Sequence, residues 1–150
     1  MNAPTETDLR PVPEPDEASA FFWDGARDGR LLVQRCANCS AYQYPPDVAC
    51  IRCQSQELVP TEVSGRGTLY SYAVVDRPYQ AGFVAAVPYV VGLIDLPEQA
   101  GLRMLTNVVD ADPGDLRVGM PVEVVFETRG DVVLPQFRPA TAENAEKAES

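Results

Sequence analysis

The four cysteines of this chain, Cys36, Cys39, Cys50 and Cys53, stand in two Cys-x-x-Cys pairs separated by ten residues. A two-residue spacer lets both thiolates of a pair turn toward one ion, and two facing pairs complete a tetrahedral shell of four sulfurs. No imidazole competes for that role, because the chain has no histidine. Zinc is the first expectation and iron the second, since both accept four thiolates. The rival chemistry is two disulfides in one of three pairings, which belongs to oxidising compartments. The opening residues, MNAPTETDLRPVPEPDE, are acidic and hold no apolar run, so no signal peptide and a cytoplasmic setting are expected.

Other chemistry is harder to assemble. Acyl transfer or hydrolysis needs a nucleophile with a base beside it. Here the single lysine, Lys147, sits near the C-terminus and every cysteine is spoken for by the metal. Asp76, Asp95 and Asp110 fall at strand ends, where solvated turn carboxylates are common. A closed four-sulfur site keeps no open position for water or a carbonyl. The chain is therefore expected not to be an enzyme on its own.

The net charge is −10 over 150 residues, and the two ends, 1–20 and 140–150, carry eight acids against two bases. Such a chain repels nucleic acid and anionic membrane at long range, and no apolar run is long enough to span a bilayer. A nucleic-acid-binding zinc ribbon with a β-barrel is the binding-class alternative, and this acidity opposes it.

The elements that must position the cysteines are legible in outline. Polar tails are expected over 1–14 and 140–150, an N-terminal helix with its metal ribbon over 15–63, and a β-domain over 64–139. The helix is read from Pro15, capped by Asp16, with Ala18, Phe21, Phe22, Gly25, Ala26 and Gly29 on one face and Gly29 as its stop. A strand over 30–35 leads into the first cysteine pair. Tyr42, Tyr44, Pro45 and Pro46 would wall the ribbon, and a short strand follows near 58–63. Ser64-Gly65-Arg66-Gly67 reads as a turn. Five strands are then expected at 68–76, 88–96, 102–109, 122–127 and 132–137, with a helical turn within 112–119. Periodicity alone supports a small β-barrel or sandwich. Five strands with a helical insertion between the third and fourth is the layout of an OB-fold barrel.

These residues resemble a known family. Phe22-Trp23, Gly29-Arg30-Leu31, Gln34-Arg35-Cys36-x-x-Cys39, Pro45-Pro46, Cys50-x-x-Cys53 and Ser64-Gly65-Arg66-Gly67-Thr68 match it, as do Pro88-Tyr89-Val90-Val91, Gly119-Met120-Pro121-Val122-Glu123-Val124 and Leu134-Pro135-Gln136-Phe137-Arg138-Pro139. Together, over residues 15 to 139, they resemble the family named domain of unknown function 35. The resemblance implies a mainly β protein: an N-terminal helix, a rubredoxin-like zinc ribbon, then a five-stranded OB-fold barrel. It implies a non-catalytic accessory subunit that shares an acyl-CoA ligand with a thiolase or a thiolase-like aldolase, the steroid side-chain group being the nearest. Three positions depart from the pattern: Ser40 stands where glycine is usual, Ile51 where proline is, and Asp47 where arginine is common.

Within that frame, Arg66, Tyr70, Tyr72, Phe83 and Arg103 are the candidates for an acyl-CoA or channel surface, with Tyr70 and Tyr72 read on one face of their strand. Trp23, Tyr79 and Phe83 are the candidates for the partner interface. Trp23 lies off the helix stripe, and Phe83 is the one large group amid the small residues that follow Tyr79 in the loop 79–87.

Overall fold

The computed structural model describes residues 10–141, and most of each expected tail lies outside them. The elements are α1 (Ala20–Arg27), β1 (Leu32–Cys36), β2 (Tyr42–Gln43), β3 (Leu58–Glu62), β4 (Arg66–Val75), β5 (Tyr89–Asp95), β6 (Arg103–Val108), β7 (Pro121–Arg129) and β8 (Val132–Pro139). Short 3-10 turns at Ala81–Phe83 and Pro113–Asp115 interrupt the loops. The first three strands form a small sheet in the order β2-β1-β3, and the other five close a barrel in the order β4-β5-β6-β8-β7. All barrel pairings are antiparallel except β6 with β8, which meet in parallel at Val108 and Phe137. This is the OB-fold barrel after a ribbon that the sequence layout predicts.

The helix is shorter than its apolar stripe. Residues 17–19 form a turn, and the Ser19 amide donates to Asp16 Oδ1 at 2.8 Å, so Asp16 caps that turn one step ahead of α1. The Ala20 amide donates to the Asp16 carbonyl at 2.8 Å, so two of the donors near the helix start are satisfied by Asp16. Gly29 takes φ +74, a left-handed conformation that stops the helix at low cost. Phe22, Gly25 and Ala26 are buried, and α1 packs on β1 and β8.

The segment 64–67, read as a turn, contributes its second half to β4. Gly67 sits where a Cβ would lie 2.6 Å from the Asp95 carbonyl oxygen, so only glycine lets β4 approach β5 that closely. A register shift then lies between Leu69 and Ser71, a bulge that leaves Tyr70 as the extra residue. The bulge separates two residues that alternation places together: Leu69 is fully buried, Tyr70 is exposed, and Tyr72 turns inward to pack on the core.

The barrel core is Leu69, Ile94, Met104, Val122 and Phe137, each essentially inaccessible. Phe22 of the helix and Leu31, Val33 and Val63 of the ribbon side join the same cluster, so one apolar core runs from ribbon to barrel. The 97–101 loop adds a polar clasp across that junction. Gln99 Oε1 accepts the Tyr42 amide at 2.8 Å, and Gln99 Nε2 donates to the Tyr42 carbonyl at 3.0 Å. Beside it, Glu98 Oε2 accepts the Ser64 amide at 2.7 Å.

Candidate metal centre and binding surfaces

The two cysteine pairs lie on two turns of the same shape. Each pair is followed by a residue in the left-handed region, Ser40 at φ 68 and Gln54 at φ 66. In each turn that residue's amide donates back to the first cysteine's carbonyl at 2.8 Å, Ser40 to Cys36 and Gln54 to Cys50. The first cysteine's own amide reaches forward, Cys36 to Ala41 at 2.9 Å and Cys50 to Ser55 at 2.8 Å. The fold thus repeats one knuckle twice and faces the copies toward each other. The serine is the mark of this geometry in the sequence, since a non-glycine residue with positive φ costs on the order of 1 kcal/mol or more.

The four sulfurs lie within 4.8 Å of one another. Cys36 and Cys53 are 3.6 Å apart, as are Cys39 and Cys50. A tetrahedral zinc–thiolate shell with bonds of about 2.3 Å sets sulfur–sulfur separations of about 3.8 Å. All four cysteines are free thiols, so the disulfide alternative is not realised. The electrostatics are those of a site arranged for thiolate. The Cys39 amide donates to Cys36 Sγ, the Arg52 amide to Cys50 Sγ and Asn38 Nδ2 to Cys53 Sγ, each at 3.4 Å. The Cys53 and Arg52 amides hold the Cys50 thiol down at about 6. Asn38 and then the Ser55 amide lower Cys53. At Cys39 the Ala41 amide pulls down, but desolvation and the neighbouring cysteines push it up to about 11. Four thiolates packed this closely need a cation among them, and the donor set fits one metal ion.

Sequence reasoning missed the residues that hold the loop between the knuckles. Gln34 and Gln43 are buried and joined, Gln43 Nε2 donating to Gln34 Oε1 at 3.0 Å. Gln34 exchanges hydrogen bonds with the main chain of Asp47, and Gln43 Oε1 accepts the Ile51 amide at 2.9 Å. Two glutamines on alternating, otherwise apolar strand positions were the available signal. Tyr42 and Tyr44 are half-buried, and Tyr44 lies 5.6 Å from Phe22.

The candidate acyl-CoA residues divide between the two ends of the barrel. Arg66 is half-buried beside a small pocket shared with Thr68 and Asp95. Arg103 donates its Nε–H to Asp95 Oδ1 at 2.7 Å and stacks 3.8 Å over the Tyr70 ring, so its guanidinium is held in place by both. Tyr72 donates its hydroxyl to the Leu116 carbonyl at 3.2 Å and is committed to the core. Phe83 stands at the other end of β5, stacked on Tyr89 at 5.3 Å, about 20 Å along the strand from Asp95. Of the interface candidates, Tyr79 is 83% exposed, Phe83 is half-buried, and Trp23 is half-buried with its ring edge-on to Phe22 at 4.8 Å. Tyr79 and Phe83 share one loop, while Trp23 stands apart on α1.

No helix among the described residues is long and apolar enough to cross a membrane.

Comparison with known proteins places this geometry. Residues 23–59 match the family profile described as ChsH2, rubredoxin-like zinc ribbon domain, and residues 60–127 match ChsH2, C-terminal OB-fold domain. A "Probable enoyl-CoA hydratase alpha subunit" of Thermomonospora curvata is 39% identical over 133 residues, which is 88% of this chain and 40% of the relative. A "3-oxo-4,17-pregnadiene-20-carboxyl-CoA hydratase alpha subunit" of Mycobacterium tuberculosis is 37% identical over 127 residues, 85% of this chain and 39% of the relative. The chain therefore spans about two fifths of the length of these relatives. A solved chain titled "Ltp2-ChsH2(DUF35) aldolase" superposes with a TM-score of 0.77 at 37% identity, over 87% of this chain and all of that one. With the paired knuckles, the closed barrel and both profiles in register along it, the chain belongs to the DUF35 family and carries the zinc-ribbon and OB-fold domains of its ChsH2 branch.

Proposed function

We propose that this chain is a non-catalytic, zinc-bearing subunit of an acyl-CoA-processing complex. It binds a thiolase-like enzyme, a thiolase or an aldolase acting in steroid side-chain breakdown, and helps form that enzyme's acyl-CoA site. The observation that carries the reading is the match along the whole described fold to the ChsH2 chain of an aldolase. The hydratase names of two relatives add the CoA thioester as the substrate class, one of them with a steroid acid as the acyl group.

Cys36, Cys39, Cys50 and Cys53 would hold the zinc, which would cross-link the two knuckles and take no part in chemistry on a substrate. The residues of this chain then do the binding work. Tyr79 and Phe83 offer an apolar loop surface, Trp23 offers a second on α1, and the acidic surface steers the chain toward a more basic partner. The nucleophile and the bases belong to the partner.

The test is co-expression with a thiolase-like enzyme from the same source, followed by size-exclusion chromatography. The pair should elute together, and the isolated chain should turn over no acyl-CoA thioester. A buried aromatic anchor typically costs about 2 kcal/mol or more on truncation, so Trp23→Ala or Phe83→Ala should weaken association at least about tenfold with circular dichroism unchanged. Separate elution beside such enzymes, or turnover by the chain alone, overturns the proposal.

A further inference from the structure

A cleft of about 670 Å³ opens on the outer face of the barrel, at the end where the 79–88 loop folds over β5 and β6. Its position follows from strand alternation. Val90, Gly92 and Ile94 point inward and are buried, so Tyr89 and Val91 face out, and Asn107 stands opposite Val91 on β6. On β8 the fully buried Phe137 faces the core, so Gln136 beside it faces out. The outer face of the second and third barrel strands, with the loop joining the first to the second, is the surface on which OB-folds in general take ligands.

Gln136 is the unusual residue there. It faces out of the barrel, yet it is only 3% exposed and lines the cleft. Its Oε1 is buried without a hydrogen-bond partner among the described residues, and its side-chain nitrogen makes no hydrogen bond among them either. Leaving a buried amide unpaired costs stability, and folded proteins rarely tolerate it without a use. Two basic and two acidic side chains line the cleft, Arg10 and Arg129 with Asp110 and Glu127, so their charges sum to zero. Arg129 Nη2 is 2.8 Å from Glu127 Oε2, and Arg10 Nη2 is 3.7 Å from the same oxygen. An uncharged ligand group suits such a site better than a phosphate. The stacked Phe83 and Tyr89 add an apolar wall.

A glutamine amide both accepts and donates, so its natural complement is a group presenting an N–H and a C=O together. The chain already makes that contact elsewhere, where Gln99 takes the N–H and the C=O of Tyr42. We infer that the cleft is a binding site for a neutral, amide-bearing chain, with Gln136 as the reader of the amide and Phe83–Tyr89 as the apolar flank. The source is the pantetheine arm of the acyl-CoA, whose two amides are joined by a short spacer; this assignment rests on the acyl-CoA reading above.

The test uses the purified zinc-loaded chain without any partner, so that it stands apart from complex formation. Titration with free pantetheine, followed by amide resonances in two-dimensional NMR, should shift the Gln136 side-chain signals and those of Phe83 and Asn107. N-acetylalanine methylamide, a peptide-like probe, should bind at least about tenfold more weakly. Gln136→Met should reduce pantetheine affinity by about tenfold, the loss of roughly one well-placed hydrogen-bonded pair. The same variant should melt at an equal or higher temperature without ligand, because it removes an unpaired buried amide. A purely structural role predicts the opposite shift. No pantetheine-dependent shifts, equal binding of the two probes, or a destabilised Gln136→Met with unchanged affinity would each overturn the inference, whether or not the partner binds.

Discussion

The ribbon and the barrel solve the same problem, holding loops in place, by opposite means. The barrel closes five strands around side chains that pack without polar atoms, so burial holds it together: Phe137, Leu69, Ile94 and Met104 are all essentially inaccessible. The ribbon has strands of two and five residues and buries little apolar surface of its own. Val48 and Ile51, beside its second knuckle, are each 70% exposed. Four thiols and two buried glutamines stand where a core would be. Small modules below the size at which burial suffices use such staples. The difference teaches where each part is vulnerable: the ribbon should fail when its four thiols lose a metal, and the barrel should not.

The largest effect should come from removing the staple. Cys36→Ser, or a strong chelator on the native chain, should collapse the ribbon's dispersed NMR resonances while the barrel strands keep theirs. Metal analysis of the untreated protein should return about one zinc per chain, and much less than half an equivalent would contradict the site. Acid should act in the same direction, because metal binding displaces thiol protons. The lowered Cys50 and Cys53 favour thiolate and metal above their shifted values, and that support is lost as pH falls through about 6 at Cys50. Zinc release followed against pH would read this. Loss that begins only on raising the pH would reverse the sign.

An intermediate effect is expected at the clasp. Gln99→Ala removes two hydrogen bonds to Tyr42, each contributing about 1 kcal/mol net, so unfolding should become easier by about 2 kcal/mol. Residual dipolar couplings should also show the ribbon less firmly oriented on the barrel. If the couplings stay unchanged, the shared apolar core around Phe22, Leu31 and Val63 sets the orientation by itself. The smallest effect sharpens the comparison between the knuckles. Ser40→Gly should stabilise the ribbon by about 1 kcal/mol, because it relieves a side chain held at φ 68. Gln54→Gly should do much the same, as the two knuckles share one geometry. Chemical denaturation of the zinc-loaded chain measures both.

The legibility of these features differs for physical reasons. The cysteine pairs are local, and a two-residue spacer converges two sulfurs whatever surrounds it. The barrel strands are also local in their signal, since alternation and turn residues mark them, and their order followed from the layout. The N-terminal helix is shorter than its apolar stripe because the stripe continues into a turn at 17–19, where Asp16 binds Ser19 instead of opening a helix. Alternation puts Tyr70 and Tyr72 on one face because it has no way of foreseeing a bulge, which lies in the pairing of β4 with β5.

What the sequence by itself determined was chemistry and class: a four-cysteine site with no competing imidazole, an acidic balance of charge, and strands sufficient for a small barrel. Those follow from residue identity and short spacing, which survive without knowledge of distant neighbours. Only the tertiary structure decided the rest. It brought Gln99 to Tyr42 across 57 positions, matched Arg103 to Asp95 and Tyr70, and set Phe83 about 20 Å along β5 from them. It also left the outward-facing Gln136 covered and unpaired. Each of these depends on register and closure between strands far apart in the chain, and no local pattern encodes which outward side chain another loop will cover.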